Sequence, residues 1–368
     1  MIVENEQLLY DIALTLLPGI GAKTSRLLIE RFGDAKNVFA APLKEIKLID
    51  GIGEVKAKVF KDPEILKRAE QEVSFVVRNN IKTYRLGGNY PTRLNQCSDA
   101  PVLLYFKGNA NFEAKRIVSI VGTRKNTDYG HKLCEELVIG LKHVDDLLVV
   151  SGLALGIDAI AHKTCVTHGL PTVGVLGHGM DHIYPANHKS LAKQMVENGG
   201  VMTEFISGTI PDRSNFPMRN RIVAGLADVT VVVESNSTGG ALITARMASG
   251  YNREVAAYPG RITDARSAGC NDLIRTNIAG MITNADDLIE MMGWQDKNKK
   301  KPVQQKLFIN FSPDEQKIVD LLQSKDMVHA DEFYHYTGLS SSTLAATLLQ
   351  LEMTGILKTL PGKYYRIN

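Results

Sequence analysis

Cysteine and long apolar runs are both scarce in this sequence, and each shortage excludes a class of protein. The 368 residues include four cysteines, and no two of them form a CxxC pair. A zinc ribbon and a disulfide framework are therefore disfavoured, and a reducing compartment fits the free thiols. The sequence contains no run of about 18 apolar residues, so no transmembrane helix is predicted. The acidic N-terminus lacks the basic and apolar regions of a signal peptide, so we expect a cytoplasmic protein without a membrane partner.

A large excess of positive charge is also missing. The chain has 43 basic and 40 acidic side chains, which gives a net charge of +3. This balance does not by itself indicate nucleic-acid binding, and if DNA binds to this chain, it binds at local sites and not across a uniformly cationic surface. The length exceeds that of one ordinary core and predicts two or three domains.

Residues 1–82 are predicted to form a small all-α domain. An apolar pair, a turn residue and Gly-Ile-Gly occur twice, at residues 16–21 and 48–53. The pattern resembles the helix-hairpin-helix (SAM-like) element, in which backbone N–H groups at a helix start can hold a phosphate oxygen. The candidates for auxiliary DNA contacts are Gly19, Gly21, Lys23 and Arg26. The second copy carries Asp50 beside its turn, and a packing role without DNA contact is the alternative.

Residues 83–294 consist of short β-rich runs that alternate with helical stretches. The predicted strands are 117–121, 147–151, 172–176, 201–204, 229–234 and 254–258. Such alternation is typical of βαβ units, and the near-continuous apolar character of the runs suits strands that are covered on both faces. The sequence therefore predicts an α/β central domain with a Rossmann-like, mostly parallel sheet.

The last part of the chain is predicted as a linker and a winged-helix domain. Residues 295–307 are mostly polar with five lysines, which is typical of a linker. Residues 308–368 show a helix-start signal at Ser312, two further helices and two strands, which is the order of a winged helix. The third helix has almost no basic residue, so protein interaction or an auxiliary role is favoured over reading of duplex DNA.

The strongest candidate site follows the predicted strand at 117–121. Gly122, Thr123 and Arg124 come directly after this strand, and a helix begins near Asp128. Ligands of open parallel sheets bind at the carboxyl ends of the strands. Gly122 lets a ligand approach the backbone, the helix N-terminus favours an anion, and Arg124 can hold a phosphate. The later glycines of a dinucleotide fingerprint are missing, which disfavours an ordinary Rossmann cofactor.

Other predicted strand ends supply further small and polar residues. They are Ser151, Gly152 and Gly156 after the second strand, Gly177 and Gly179 after the third, and Thr238, Gly239 and Gly240 after the fifth. Each group by itself is explained by a tight turn. Their recurrence at successive strand ends favours one crevice that binds a polyanion or a nucleotide.

A segment rich in arginine comes just before an apolar helical stretch at 222–226. It contributes Arg213, Phe216, Arg219, Asn220 and Arg221. Arginines that hold phosphate beside a ring that stacks a base are typical of single-stranded nucleic-acid binding. The alternative is a structural network in which one of these arginines pairs with Glu204 or Glu234.

Metal sites and catalytic sites are both disfavoured. His178, His182 and His188 are close in sequence, but no cysteine or HExxH pattern accompanies them. Asp158 and His162 have helical spacing, for which a helix-capping Asp and a hydrogen-bonded His are the favoured interpretation. No nucleophile elbow, Walker A loop or carboxylate cluster occurs. We therefore expect no cofactor, no metal and no enzymatic activity.

The motifs, taken as an ordered set, resemble the DprA/Smf family (DNA-processing protein A) over nearly the whole chain. The matching stretches are YPTRL, SIVGTR, SGLALGIDAIAH, GHGMDHIYPANH, FPMRNRIVAGL, VVVESNSTGGALITA and PGRITDARSAGCNDLI. The resemblance implies a Rossmann-like domain that binds single-stranded DNA and forms a homodimer. It further implies that the protein protects incoming DNA and loads the RecA recombinase during natural transformation.

The same resemblance implies roles for residues of the candidate site. Arg124 would grip phosphate, and Arg213 would be the basic contact that precedes the aromatic Phe216. The segments 219–221 and 238–240 would line the same pocket. The chain departs from the family at Leu155, where members often have Lys or Arg, and this departure removes one phosphate contact.

Two other functions remain as alternatives. A nucleotide-binding or nucleotide-processing enzyme could use the same Gly-rich pocket, as in the similar cytokinin-activating phosphoribohydrolases. The turn at 236–241 lacks their full PGGxGT pattern. A regulator that binds duplex DNA through the winged helix would prefer duplex and would not depend on Arg124.

Overall fold

The computed structural model describes residues 2–295, 311–325, 327–360 and 362–367. They belong to two compact units, one that ends at Gln295 and one that follows it. Residues 296–307, the greater part of the predicted linker, lie outside the described residues. Among the described helices, none is long and apolar enough to cross a membrane.

The first unit begins with six helices, so this segment is helical as predicted. They are α1 (Ile2–Thr15), α2 (Ala22–Phe32), α3 (Ala35–Ala40), α4 (Leu43–Ile46), α5 (Glu54–Lys58) and α6 (Pro63–Arg78). Aspartates cap two of them. The Asp34 carboxylate accepts a hydrogen bond from the backbone N–H of Asn37 in α3, and the Asp62 carboxylate accepts one from Glu64 in α6.

A nine-stranded sheet forms the middle of the first unit. Its strands are β1 (Lys82–Arg85), β2 (Leu103–Gly108), β3 (Arg116–Val121), β4 (Leu147–Ser151), β5 (Thr172–Val175), β6 (Gly199–Thr203), β7 (Val229–Val232), β8 (Glu254–Ala257) and β9 (Gly280–Met281). Their order is β1-β2-β6-β5-β4-β3-β7-β8-β9. All neighbours are parallel except β2, which runs antiparallel to β1 and β6. The predicted Rossmann-like, mostly parallel sheet is confirmed.

Helices cover both faces of this sheet. They are α7 (Thr92–Asn95), α8 (Asp128–Leu141), α9 (Ile157–His168), α10 (Lys189–Glu197), α11 (Asn215–Leu226), α12 (Gly240–Gly250), α13 (Ala268–Arg275) and α14 (Ala285–Met291). Ile117 and Val121 of β3 pack in the core formed with α11 and α12. Val118 and Ile120 pack in the opposite core, formed with α8 and α9. Burial on both faces explains why the strand sequences are almost continuously apolar.

The helical segment and the sheet share a core. Apolar side chains of the first helices form one cluster with Leu103 and Tyr105 of β2. A polar contact adds to this packing, because the buried Glu72 carboxylate of α6 accepts hydrogen bonds from the backbone N–H and the hydroxyl of Ser207, at 2.9 and 2.5 Å. The boundary predicted at residue 82 therefore separates two regions that pack together in one compact unit.

Asp11 is a buried acid of α1 with a raised pKa. Gln7 donates a hydrogen bond to its Oδ1, whereas its buried Oδ2 has no partner within the described residues. Burial raises the pKa of Asp11 from 3.8 to about 6. The folded state therefore takes up a proton that the unfolded state releases, and this group lowers the free energy of unfolding as the pH rises from about 4 to 6.

We expect Asp11→Asn to raise the free energy of unfolding at pH 7 by about 2–3 kcal/mol, because the amide is never ionised. The gain should vanish near pH 4. Trp294, the one tryptophan of the chain, packs against the sheet core, so its fluorescence in urea titrations reports unfolding of the first unit. The exposed Asp50→Asn is the control and should change little at either pH. An equal gain at pH 4 and pH 7 would mean that packing, and not ionisation, is responsible.

The second unit has the predicted winged-helix order, and this prediction is confirmed. Its elements are α15 (Pro313–Ser324), β10 (Val328–His329), α16 (Ala330–Thr337), α17 (Ser341–Met353), β11 (Leu357–Leu360) and β12 (Tyr364–Ile367). The three strands form a sheet in the order β10-β12-β11. Ser312 and Glu315 form a capping box at the start of α15, as the helix-start signal indicated. Phe333 and Leu348 lie in the core of the three helices.

Candidate nucleic-acid interface

A cavity of about 580 Å³ lies at the carboxyl ends of β3, β4 and β7. The strand order reverses here, since the chain continues from β3 to β4 on one side and β7 lies on the other. Open α/β sheets bind ligands at such a switch point. The structure brings ten of the predicted site residues to this cavity. They are Gly122, Thr123, Arg124, Gly152, Arg213, Phe216, Arg219, Asn220, Gly239 and Gly240.

Three other predicted residues lie beside the cavity lining and not in it. The buried Ser151 hydroxyl donates a hydrogen bond to the Ile120 carbonyl inside the sheet, at 2.6 Å. Gly156 has a φ of +78°, and a Cβ there would collide with the Thr123 carbonyl, so this glycine lets the loops after β3 and β4 meet. Thr238 belongs to the turn that leads into α12 and is absent from the lining.

The N-terminus of α8 is already occupied, which corrects the expectation that it faces an anionic ligand. The buried Glu234 carboxylate accepts hydrogen bonds from the Thr127 N–H and hydroxyl, at 2.9 and 2.7 Å. A Cβ at Gly130 in the first turn would strike this carboxylate. A protein side chain thus takes the place predicted for a phosphate.

The N-terminus of α12 faces the cavity. Gly239 is its N-cap and provides no side-chain hydrogen bond, and Gly239, Gly240 and Ala241 line the cavity. A Cβ at Gly240 would meet nothing within 4 Å, so the space in front of the first turn is open. Uncapped N–H groups and the helix dipole favour an anion at this position.

The cavity wall carries a cation over an aromatic ring. The Arg124 guanidinium carbon lies 4.9 Å from the centroid of the Phe216 ring. Arg124 is exposed and forms neither a hydrogen bond nor a salt bridge with another described residue, so its N–H groups are available to a ligand. Arg213 is also exposed and lines the same cavity. Two exposed cations and one half-buried ring therefore line the same cavity.

Arg219 is a buried cation of the cavity lining that bonds to the backbone around it. Its buried guanidinium donates hydrogen bonds to the carbonyls of Gly152 and Val175 and to the Asn220 side chain. Burial lowers the pKa of Arg219 to about 10, and the nearby Asp158 carboxylate opposes this shift. The side chain stays charged at neutral pH and joins the ends of β4 and β5 to α11.

Arg221 is not brought to the cavity, although it was predicted among the DNA contacts. Its guanidinium pairs with the Glu204 carboxylate and donates a hydrogen bond to the Asp99 carbonyl. Its side chain is 9% exposed. The alternative structural network is therefore what the structure contains at this residue.

The helix-hairpin-helix candidates lie in the turn before α2 and in the first part of that helix. Gly19 has a φ of +72°, Gly21 is the N-cap of α2 without a side-chain hydrogen bond, and Lys23 is exposed. Arg26 has a structural role instead, because it donates hydrogen bonds to the carbonyls of Cys97 and Asn95 at 2.6 and 2.7 Å. An auxiliary DNA contact by this turn stays a prediction.

Several cavity residues were not predicted. Ile243 and Thr244 line the cavity one turn after Gly240, and their helical spacing from that glycine is the signal that could have found them. Asp158 lines it as well, and burial raises its pKa while Arg219 opposes the shift. Asp158 is the carboxylate in a lining that also contains three arginines.

The histidines have structural contacts. His162 bonds to the Thr172 hydroxyl at 2.7 Å, and burial lowers its pKa to about 3, so it stays neutral. His178 bonds to the Gly179 carbonyl at 2.8 Å, and His188 bonds to the Leu153 carbonyl at 3.0 Å. Across the residues that the structure describes, no group of three or more His, Cys, Asp or Glu side chains could hold a metal ion.

Sequence and structure comparisons identify the relatives of this chain. Residues 83–293 match the family model described as DNA recombination-mediator protein A, and residues 300–363 match the DprA winged helix domain. The DNA processing protein DprA of Streptococcus pneumoniae is 38% identical over 200 residues, which span 54% of this chain and 70% of that protein. The X-ray structure of Streptococcus pneumoniae DprA superposes with a TM-score of 0.65 at 30% identity, over 77% of this chain and 97% of that one.

A second solved structure concerns the single-stranded DNA binding mode of DNA processing protein A from Helicobacter pylori. It superposes with a TM-score of 0.53 at 28% identity, over 58% of this chain and 95% of that one. The central-domain match spans more than half of the present chain, and the winged-helix match covers its last part. The chain therefore belongs to the DNA recombination-mediator protein A family, also called DprA or Smf.

Proposed function

We propose that this protein binds single-stranded DNA in the cavity at the β3, β4 and β7 strand ends and acts as a recombination mediator. The observation that carries the proposal is the Arg124–Phe216 pair beside the uncapped N-terminus of α12. The helix terminus and the arginine suit phosphate groups, and the ring suits an unpaired base. The DNA binding mode described for the Helicobacter pylori relative supports the same ligand class.

The preference for a single strand has a physical reason. Stacking on Phe216 requires a base whose face is free, and in a duplex both faces are covered by neighbouring base pairs. Arg124 and Arg213 then hold the backbone without reading its sequence. The pocket should therefore tolerate many sequences.

The wider role rests on family membership. The proposal includes a homodimer formed through the Rossmann-like domain, RecA loading and protection of incoming DNA during natural transformation. It also includes a cytoplasmic location and no enzymatic activity. The location is supported by four free cysteines that are all buried, since a reducing compartment keeps such thiols unpaired.

A nucleotide-binding or nucleotide-processing enzyme is the second candidate. The cavity volume of about 580 Å³ lies within the range of small-molecule sites, and Asp158 is a buried carboxylate in its lining with a raised pKa. Such an enzyme would hydrolyse or transfer a nucleoside phosphate, and Asp158→Asn would abolish turnover.

The test is fluorescence anisotropy with labelled oligo-dT and a matched duplex. We expect the single strand to bind at least tenfold more tightly than the duplex, with only weak competition by nucleoside monophosphates. Equal binding of the duplex would contradict the proposal and favour the winged helix. Tight binding and turnover of a nucleoside monophosphate would favour the enzyme.

A further inference from the structure

A second, smaller hollow adjoins the cavity on the far side of Phe216. Arg124 and Phe216 line both spaces, and the outer wall of the hollow is formed by Leu155, Tyr184 and Pro185. The ring centroids of Tyr184 and Phe216 lie 6.3 Å apart, with 34° between their planes. The two rings are therefore neighbours, and Phe216 lines both spaces whereas Tyr184 lines the hollow alone.

The outer wall exposes apolar groups that packing does not explain. Tyr184 is 51% exposed and Leu155 is 46% exposed. The Tyr184 side chain has no hydrogen-bond partner within residues 2–295, and the nearest ring is that of Phe216. A half-exposed ring next to a half-exposed leucine is a surface suited to a flat apolar ligand.

Hydrogen bonds that do not involve the Tyr184 ring stabilise the loop that carries this residue. The Tyr184 backbone N–H donates a hydrogen bond to Nε2 of His178, at 3.2 Å, and Nδ1 of that histidine bonds to the Gly179 carbonyl. The His178 ring also stacks on His182, with centroids 4.6 Å apart. A ring on a fixed loop loses little conformational entropy when a ligand stacks on it.

Size and charge restrict what the outer wall can bind. The hollow has a volume of only about 40 Å³, so a nucleobase lies on its surface and does not enter it. Leu155, Tyr184 and Pro185 carry no charge, so this wall offers phosphate no ion pair. The phosphates instead face Arg124, at the edge that the two spaces share.

We infer that Tyr184, with Leu155 and Pro185, forms a second base-stacking site for a nucleotide adjacent to the one on Phe216. The inference rests on the proposed function, because it extends the same bound strand beyond the cavity. The ligand is an unpaired nucleobase of single-stranded DNA. Its contribution comes from stacking and is therefore almost independent of salt.

The test compares two probes of equal length, labelled oligo-dT and a labelled strand made entirely of abasic nucleotides. Tyr184→Ala should weaken oligo-dT binding by about fivefold to tenfold, the lower range for loss of a stacked base. Tyr184→Phe, which keeps the ring, should bind within about twofold of the parent protein. Binding of the abasic strand should be unchanged by either substitution, and the salt dependence with oligo-dT should keep its slope.

Controls separate this inference from the proposed function. Met218→Ala removes another half-exposed apolar side chain, outside both spaces, and should have no effect. If the parent protein does not bind oligo-dT, the proposed function fails first. If it binds and Tyr184→Ala is neutral, only the second stacking site is wrong. Equal weakening of both probes would also overturn it, because the ring would then act through the backbone or through the fold.

Discussion

Arg124→Ala is expected to weaken oligo-dT binding by about tenfold to hundredfold. A hydrogen bond between a guanidinium and a phosphate is charge-assisted, and such bonds are worth about 1.5–3 kcal/mol. The substitution also removes the cation above the Phe216 ring. Because one phosphate contact is lost, the slope of log K against log salt should become shallower by about 0.7, the value per contact for a single strand.

Anisotropy titrations at several salt concentrations measure both effects. Lys125→Ala is the matched control, because it removes the same charge from an exposed neighbouring residue. Lys125 does not line the cavity. We expect its effect to be at most about twofold. Equal losses for the two variants would mean that general attraction to positive charge, and not the cavity, binds the strand.

Arg219→Met is expected to lower the free energy of unfolding by about 3–5 kcal/mol. The substitution removes a nearby cation that opposes the raised pKa of Asp158, and a buried carboxylate without such a cation is costly to ionise. It also removes the donor shared by the Gly152 and Val175 carbonyls at the ends of β4 and β5. Urea denaturation followed by the fluorescence of Trp294 measures unfolding of the first unit.

A surface-pair control and a double variant test the reason for the loss of stability in Arg219→Met. Arg275→Met breaks a surface ion pair with Asp272, in which the Arg275 side chain is 74% exposed. We expect the free energy of unfolding to change by less than about 1 kcal/mol. Asp158→Asn combined with Arg219→Met should recover part of the stability, because no unpaired charge is then buried. Additive losses in the double variant would show that the two groups do not interact.

The fold was largely predictable because buried strands have a recognisable apolar sequence pattern. β3 to β8 are covered on both faces, so each of them forms a short apolar run that alternation with helices identifies. β1 and β2 were not predicted. β1 is a four-residue strand, Lys82–Arg85, with polar and aromatic residues, and only the four-residue helix α7 separates it from β2. Strands at the antiparallel edge lack the alternation that revealed the others.

The residues of the candidate site were largely predictable, but the side-chain partners of these residues were not. Residue type shows that Arg124, Arg219 and Arg221 are cations, yet it does not show which carboxylate each one meets. Glu204 pairs with Arg221 across 17 positions of sequence, and Glu234 caps α8 from 107 positions away. Long-range partners of this kind are set by the strand order of the sheet, which no local pattern contains.

The contact between Glu72 and Ser207 has a consequence for how such a chain can diversify. Ser207 lies in the loop that leads towards Arg213, and its N–H and hydroxyl depend on a carboxylate from the helical segment. Tyr105 is likewise buried against those helices. A helical segment exchanged between relatives must bring an acid and an apolar surface that match this sheet. The two regions are therefore matched to each other in this chain, although only one of them carries the cavity.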